Sequence, residues 1–141
     1  MRRRCLVSDK SGFTLVELLV VMVIIGLLAT LVAPGLIKQL GKSQQAAAKS
    51  QIASLEQALD KFRLDVGRYP SSQEGLNSLL TNPGVDSWDG PYVKSSLLND
   101  PWGRPYHYDF PGVHGEYDLY SYGRDGQPGG EKEDKDITNW D

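Results

Sequence analysis

Two sets of side chains in this 141-residue chain have the type and spacing to do chemistry, and both are acidic. The first is one carboxylate, Glu17, placed at the fifth residue of a long apolar run that starts at Phe13. An acid in lipid is expensive, about 2.5–3.5 kcal/mol for an aspartate at a helix centre. A plain membrane anchor gains nothing from that cost, so the acid demands a partner. The second set lies in Gly123–Asp141, GRDGQPGGEKEDKDITNWD, where Asp125, Glu131, Glu133, Asp134, Asp136 and Asp141 stand among four glycines. Repulsion among such acids turns to attraction once a divalent cation sits between them, and calcium takes about six to eight oxygens in adaptable geometry. The EF-hand spacing is absent, because Gln127 and Gly129 stand where alternating acids belong after Asp125. Composition therefore admits calcium without selecting it. An unstructured acidic tail is the alternative, and Ile137 and Trp140 weigh against it because they give the tail something to bury.

Other reactive residue types are sparse. His107 and His114 are the only histidines, and a zinc site needs four donors, or three and a water. Cys5 is the only cysteine. Ser71, Ser72 and Ser121 lack the G-x-S-x-G turn of a serine nucleophile. There is no phosphate-binding loop and no basic patch, which argues against nucleic-acid binding. The chain reads as non-catalytic.

The elements that must position these acids follow from periodicity. Met1–Gly12 is short and basic, with Arg2, Arg3, Arg4 and Lys10 against Asp9, a side-chain charge of +3. Because the whole chain carries −3, the remainder carries −6. A basic start retained on the cytoplasmic side and an acidic remainder outside fit the distribution of charge around membrane anchors. Leu18–Ile37 is an uncharged run of twenty residues whose only hydroxyl is Thr30. About twenty helical residues cross the roughly 30 Å hydrocarbon layer. Pro34 and Gly35 fall near its end, where a missing backbone donor predicts a kink or local melting. Beyond Lys38 the helix continues through an Ala/Gln/Lys-rich stretch. Ile52, Leu55, Leu59, Phe62 and Val66 recur at steps of three and four and form one core-facing stripe. Gly67 stops the helix, with Pro70 beyond it.

Ser71–Glu74 has the spacing of a capping box and predicts a short helix over 72–80. Thr81–Pro91 reads as a loop. Tyr106, Tyr108 and Phe110 alternate with His107 and Asp109 as in a half-buried strand, and Tyr117–Tyr122 is its partner across a Pro111–Gly115 turn. A short strand near Tyr92 completes a small antiparallel sheet on the long helix. Trp102 reads as a buried loop anchor.

Residues 12–17, in the pattern G-F-T-L-x-E, resemble the class III signal of type IV pilins and pseudopilins. That resemblance implies cleavage by a prepilin peptidase between Gly12 and Phe13, followed by N-methylation of the new Phe13 amine. It also implies a role for Glu17 in assembly, its carboxylate meeting the charged Phe13 terminus of a neighbouring subunit. Cys5 would leave with the leader, so the mature chain has no disulfide, although its compartment would permit one. The implied layout is a leader at 1–12, a transmembrane and polymerisation helix at 13–37 and a periplasmic α+β domain at 38–141.

YPSSQEGLNSLL after the long helix, DPWGRPYHY at Asp100–Tyr108, LYSYGRDGQPGG and DITNW together resemble the major pseudopilin, or protein G, family of type II secretion systems. The resemblance covers essentially the whole mature chain. It implies a type IV pilin-like α+β fold, a long helix packed on a small antiparallel sheet with a C-terminal calcium-binding loop. The implied Ca2+ ligands are the side chains of Asp125 and Asp136 and the carbonyls of Tyr122 and Gln127. Lys135 stands where some relatives carry a further aspartate, which leaves Asp134 as the candidate third acid. The implied function is a non-enzymatic subunit, anchored once in the bacterial inner membrane, that polymerises into a periplasmic pseudopilus driving export of folded proteins. Implied partners are further copies, minor pseudopilins, the inner-membrane assembly platform, the prepilin peptidase, the secretin and the exported proteins. A type IV pilus subunit and a minor pseudopilin are the alternative readings.

Overall fold

The structure is a computed structural model that describes residues 11–141. The expected leader, apart from Ser11 and Gly12, lies outside the described residues, as does Cys5. The chain divides into two compact units, Met1–Ile37 and Lys38–Asp141.

Helix α1 spans Leu15–Val66 and contributes to both units. In the first unit it is apolar all round, and each large apolar side chain from Phe13 to Ile37 is 49–86% exposed. Pro34 lies inside the helix, and the backbone is helical on both sides of it. The expected local melting is therefore absent. Proline removes one donor, but helical propagation on either side holds the neighbouring turns.

In the second unit α1 turns the stripe predicted from the sequence toward a core. Ile52, Leu55, Leu59 and Phe62 are buried there beside Ala48 and Ala58, and Val66 is half-buried at its rim. Gly67 ends the helix, its N–H donating to the Arg63 carbonyl at 2.8 Å and its φ of +89° taking the left-handed turn that a side chain disfavours.

The capping box forms at Ser71 and Glu74. The Glu74 N–H donates to Ser71 Oγ at 3.1 Å, and the Ser71 N–H donates to the Glu74 carboxylate at 2.9 Å. The helix expected over 72–80 is shorter. Gly75 interrupts it at φ +61°, and only a 3₁₀ turn at Leu76–Leu79 follows.

Three strands, β1 (His107–Asp109), β2 (Asp118–Ser121) and β3 (Ile137–Thr138), form an antiparallel sheet in the order β1-β2-β3. Tyr108 pairs with Leu119, and Ser121 pairs with Ile137. Tyr106, Tyr108, Leu119 and Ile137 face the α1 stripe and are buried. The phenols reach polar partners: Tyr106 donates to Gln51 Oε1 at 2.6 Å and Tyr108 to the Pro70 carbonyl at 2.7 Å.

The third strand is not the one expected near Tyr92. The Tyr92 N–H donates to the Leu79 carbonyl at 2.7 Å, its ring packs edge-on against Phe62 at 5.8 Å, and its hydroxyl donates to Asp65 at 2.8 Å. Tyr92 is a loop dock against α1. The sheet is completed instead by the C-terminal segment, which is therefore ordered structure around a buried Ile137.

Candidate functional site

At the start of α1 the Thr14 N–H donates to Glu17 Oε2, and the Glu17 N–H donates to Thr14 Oγ1, each at 3.2 Å. This is a capping box, closing two backbone donors that no carbonyl of the helix can reach. Placing the acid in the first turn also sets it at the positive end of the helix dipole. Sequence reasoning gave Glu17 only an intersubunit partner and missed Thr14. The T-x-x-E spacing was the available signal. Gly12 and Phe13 precede the helix in exposed backbone.

The C-terminal loop is held by the motif DPWGRPY. Asp100 is buried, and its Oδ1 accepts the Trp102 and Arg104 N–H groups at 3.1 and 2.9 Å. Its Oδ2 accepts the Ser121 hydroxyl, also buried, at 2.7 Å. Arg104 then reaches the loop itself, donating to the Gly123 carbonyl at 2.9 Å and the Arg124 carbonyl at 3.1 Å. Sequence reasoning missed both roles, because they join residues about twenty positions apart. Trp102 is half-buried against the core, with its indole N–H buried and unpaired.

Gly123 marks the point where the two arms of the loop meet. It sits at φ +73°, and a Cβ there would lie 2.7 Å from the Lys135 carbonyl. Asp125 Oδ1 accepts the Gln127 N–H at 3.1 Å, and Asp136 Oδ2 accepts the Gly129 N–H at 2.8 Å. Both predicted acidic ligands therefore fasten to the 127–129 stretch. Tyr122 follows β2, its ring 4.5 Å from that of His107. Asp134 Oδ1 pairs with Arg124 Nε at 2.8 Å. The far side of the loop touches α1, where Gln45 donates to the Lys132 carbonyl and Glu133 lies against Gly41.

Among the described residues no three acids or histidines converge as a metal cluster. One observation does bear on a cation: Asp136 Oδ1 is buried with no hydrogen-bond partner. A buried carboxylate oxygen without a donor is costly, and a cation relieves it. Carboxylate and carbonyl oxygens are the hard donors that calcium prefers. The residues thus fit a calcium ion with few side-chain ligands and a larger share of backbone carbonyls.

The histidines serve packing. His114 stacks on Trp140 at 4.0 Å, and its Nδ1 lies 2.9 Å from Asp118. Burial works to raise the Asp118 pKa. Hydrogen bonds from the His114 ring and from the His114 and Val113 backbone outweigh it and hold the carboxyl below its ordinary value. His107 stacks on Tyr120 at 5.0 Å.

A membrane-length apolar helix opened by a threonine–glutamate box, with a small α+β unit closed by a glycine-rich acidic loop, defines a pilin-type subunit whose N-terminal helix is compatible with a single-pass membrane anchor. The chain belongs to the type II secretion system protein G family, whose model matches residues 35–140. The prokaryotic N-terminal methylation motif matches residues 7–33. The type II secretion system core protein G of Pseudomonas aeruginosa is 43% identical over 145 aligned positions, covering 100% of this chain and 99% of that protein. The core protein G of Escherichia coli K12 is 45% identical, covering 94% of this chain and 93% of its own length. The crystal structure of the major pseudopilin from the type 2 secretion system of enterohaemorrhagic Escherichia coli superposes with a TM-score of 0.61 at 36% identity. That match covers 76% of this chain and 95% of the crystallised one.

Proposed function

We propose that this chain is the major structural subunit of a type II secretion pseudopilus, anchored once in the inner membrane with Lys38–Asp141 in the periplasm. The observation that carries this reading is the naked helix: an apolar surface exposed on every side from Phe13 to Leu40, opened by a single acid. Such a surface needs lipid before assembly and other copies of itself afterwards. Removal of the leader after Gly12 leaves Phe13 with a charged amine, and Glu17 of an adjacent copy supplies the opposite charge. Within packed apolar helices that pair sets axial register. Minor pseudopilins, the assembly platform, the prepilin peptidase, the secretin and exported proteins are the partners this role requires.

The role is structural rather than enzymatic. The three serines that invite comparison with a nucleophile have their hydroxyls engaged in the fold: Ser71 in the capping box, Ser72 with the Phe110 backbone at 2.8 and 2.9 Å, and Ser121 with Asp100.

In the loop a calcium ion would be held by Asp125 and Asp136, with the Tyr122 and Gln127 carbonyls completing its shell and Asp134 left to Arg124. When bound, the ion supplies positive charge to the Asp136 oxygen that lacks a donor. The chain's own contribution is the preorganised loop, set by Arg104 and by the Asp100–Ser121 contact.

The test of the filament reading is Glu17→Gln in cells expressing the secretion system. The variant inserts and is cleaved, but sheared filaments seen by electron microscopy fall to background. Filaments at the normal level would remove the role given to Glu17.

A further inference from the structure

Strand β3 is an edge strand of the sheet, and among the described residues no strand pairs with its outer side. Successive residues of an antiparallel ladder turn their N–H and C=O to opposite sides. The Asn139 N–H donates to the Leu119 carbonyl at 3.0 Å, and Ile137 is the partner of Ser121, so both face β2. Thr138, between them, turns its N–H and C=O outward. Beside that edge is a groove of about 290 Å³, whose opposite wall is the α1 face carrying Lys49, Ile52, Ala53 and Glu56. Thr138 contributes to the strand wall, and its side chain, paired across from Tyr120, turns to the sheet face away from α1. Unpaired backbone beside an apolar floor at Ile52 and Ala53 is the signature of a missing strand.

The groove is also polarised. Gln45 reaches the Lys132 carbonyl at one end. Strand β1 advances along α1, Tyr106 bonding to Gln51 and Tyr108 to the Pro70 carbonyl beyond the helix, and β3 runs parallel to β1 across the sheet. Helix and strand therefore advance in the same sense, with Lys49 and Lys135 at one end and Glu56 and Asp141 at the other. Asp136 also lies on this wall and offsets one of the two lysine charges, which leaves that end net positive. Lys49 and Glu56 are seven helical positions apart, about 10 Å along the axis. An extended chain covers that distance in about three residues.

We propose that the open edge of β3 accepts an extended peptide segment of a partner protein as a fourth strand. The segment carries an acidic residue at the Lys49–Lys135 end and a basic residue two or four positions along, at the Glu56–Asp141 end. Main-chain bonds to Thr138 supply affinity, and the two charged ends supply direction and selectivity. This surface is separate from the apolar helix of residues 13–37.

The experiment pans a displayed library of random octapeptides on the full chain in detergent. Enriched sequences are expected to lack proline and to place an acid and a base two or four positions apart. Thr138→Pro removes an N–H that points away from β2, which an edge strand tolerates, and should lower recovery by about tenfold. The double variant Lys49→Glu, Lys135→Glu changes exposed residues only and should remove the preference for the acid. Unchanged near-ultraviolet circular dichroism establishes that each variant is folded, and the lysine double variant decides the question if Thr138→Pro is not. Recovery no better than on a blank surface, or peptides indifferent to the lysine variant, overturns the proposal. So does a chain dimer in detergent that Thr138→Pro or the lysine variant dissociates, since the edge then belongs to a second copy.

Discussion

Thr14 and Glu17 close on each other at the first turn of α1, each backbone N–H donating to the other's side chain at 3.2 Å. The acid proposed to act in assembly is thus already held by its own helix. A carboxylate that accepts a backbone donor is less costly in an apolar setting than a free one. The two roles separate by mutation. Thr14→Val removes the hydroxyl acceptor and should fray the first turn at about 1 kcal/mol, read as lost helicity in detergent. Glu17→Gln keeps the hydrogen-bonding shape and drops only the charge. Helicity should stay within error while filament yield collapses. Equal helicity loss in both would mean that the glutamate acts through the cap alone.

Asp100 is the residue on which the C-terminal loop depends. Replacing it with Ala leaves the buried Ser121 hydroxyl and two backbone N–H groups without their acceptor. The expected loss is about 2–3 kcal/mol in a denaturant titration of the full chain in detergent. Arg104→Ala should cost less, because its guanidinium bonds are partly solvated, and should act on the loop first. Hydrogen exchange at Arg124–Gly130 would rise while exchange in α1 stays unchanged. A uniform rise across the chain would deny Arg104 its local role.

For calcium the expectation is a linkage. An ion bound only by the folded loop stabilises by about 2.7 kcal/mol at a hundredfold excess over its dissociation constant. The melting temperature of the full chain should fall when a chelator replaces calcium. Asp136→Asn and Asp125→Asn should each abolish the difference. Asp134→Asn should preserve it, since that carboxylate belongs to Arg124. Equal melting in calcium and chelator for the unaltered chain would end the site.

Glu74 gives the fold an acid-sensitive joint. The Arg68 guanidinium, bonded to it at 2.7 and 2.8 Å, is the main cause of a pKa lowered to about 2, and the Ser71 N–H adds to it while burial opposes. A carboxyl with a depressed folded pKa stabilises above its unfolded value and loses that contribution as pH falls through its folded one. Glu74→Gln should therefore destabilise by about 1 kcal/mol at pH 7, with solvent screening limiting the size. The difference from the unaltered chain should shrink below pH 4 and vanish near pH 2. A gap that persists at pH 2 would point to lost packing instead of lost charge.

The buried phenols set the opposite limit. Burial pushes Tyr106, Tyr108 and Tyr117 well above the ordinary tyrosine range. An acid whose folded pKa is raised stabilises below its unfolded value of about 10 and ceases to as pH rises past it. An absorbance titration should show these three ionising only as the chain unfolds in alkali.

Much of this architecture was legible in the chain itself, because the signals are local. The three-and-four spacing of Ile52, Leu55, Leu59 and Phe62 reports a helix face, and the alternation around Tyr106 and Tyr108 reports a strand face. A serine or threonine with a glutamate three residues on reports a cap, whether at Ser71–Glu74 or, unread, at Thr14–Glu17. Each of these depends on atoms within a turn or two of backbone, so residue type and spacing suffice.

Tertiary structure alone decided what closes over distance. Nothing in two residues of periodicity could distinguish Ile137–Thr138 as the third strand from the segment near Tyr92. That choice was made by pairing with Ser121 and Tyr120 and by the docking of Tyr92 on Phe62. The reach of Asp100 to Ser121, the grip of Arg104 on the loop and the diversion of Asp134 to Arg124 likewise join residues ten to twenty-one positions apart. Sequence supplies the donors and acceptors, but which pairs meet depends on how the whole chain lowers the cost of leaving polar groups buried alone.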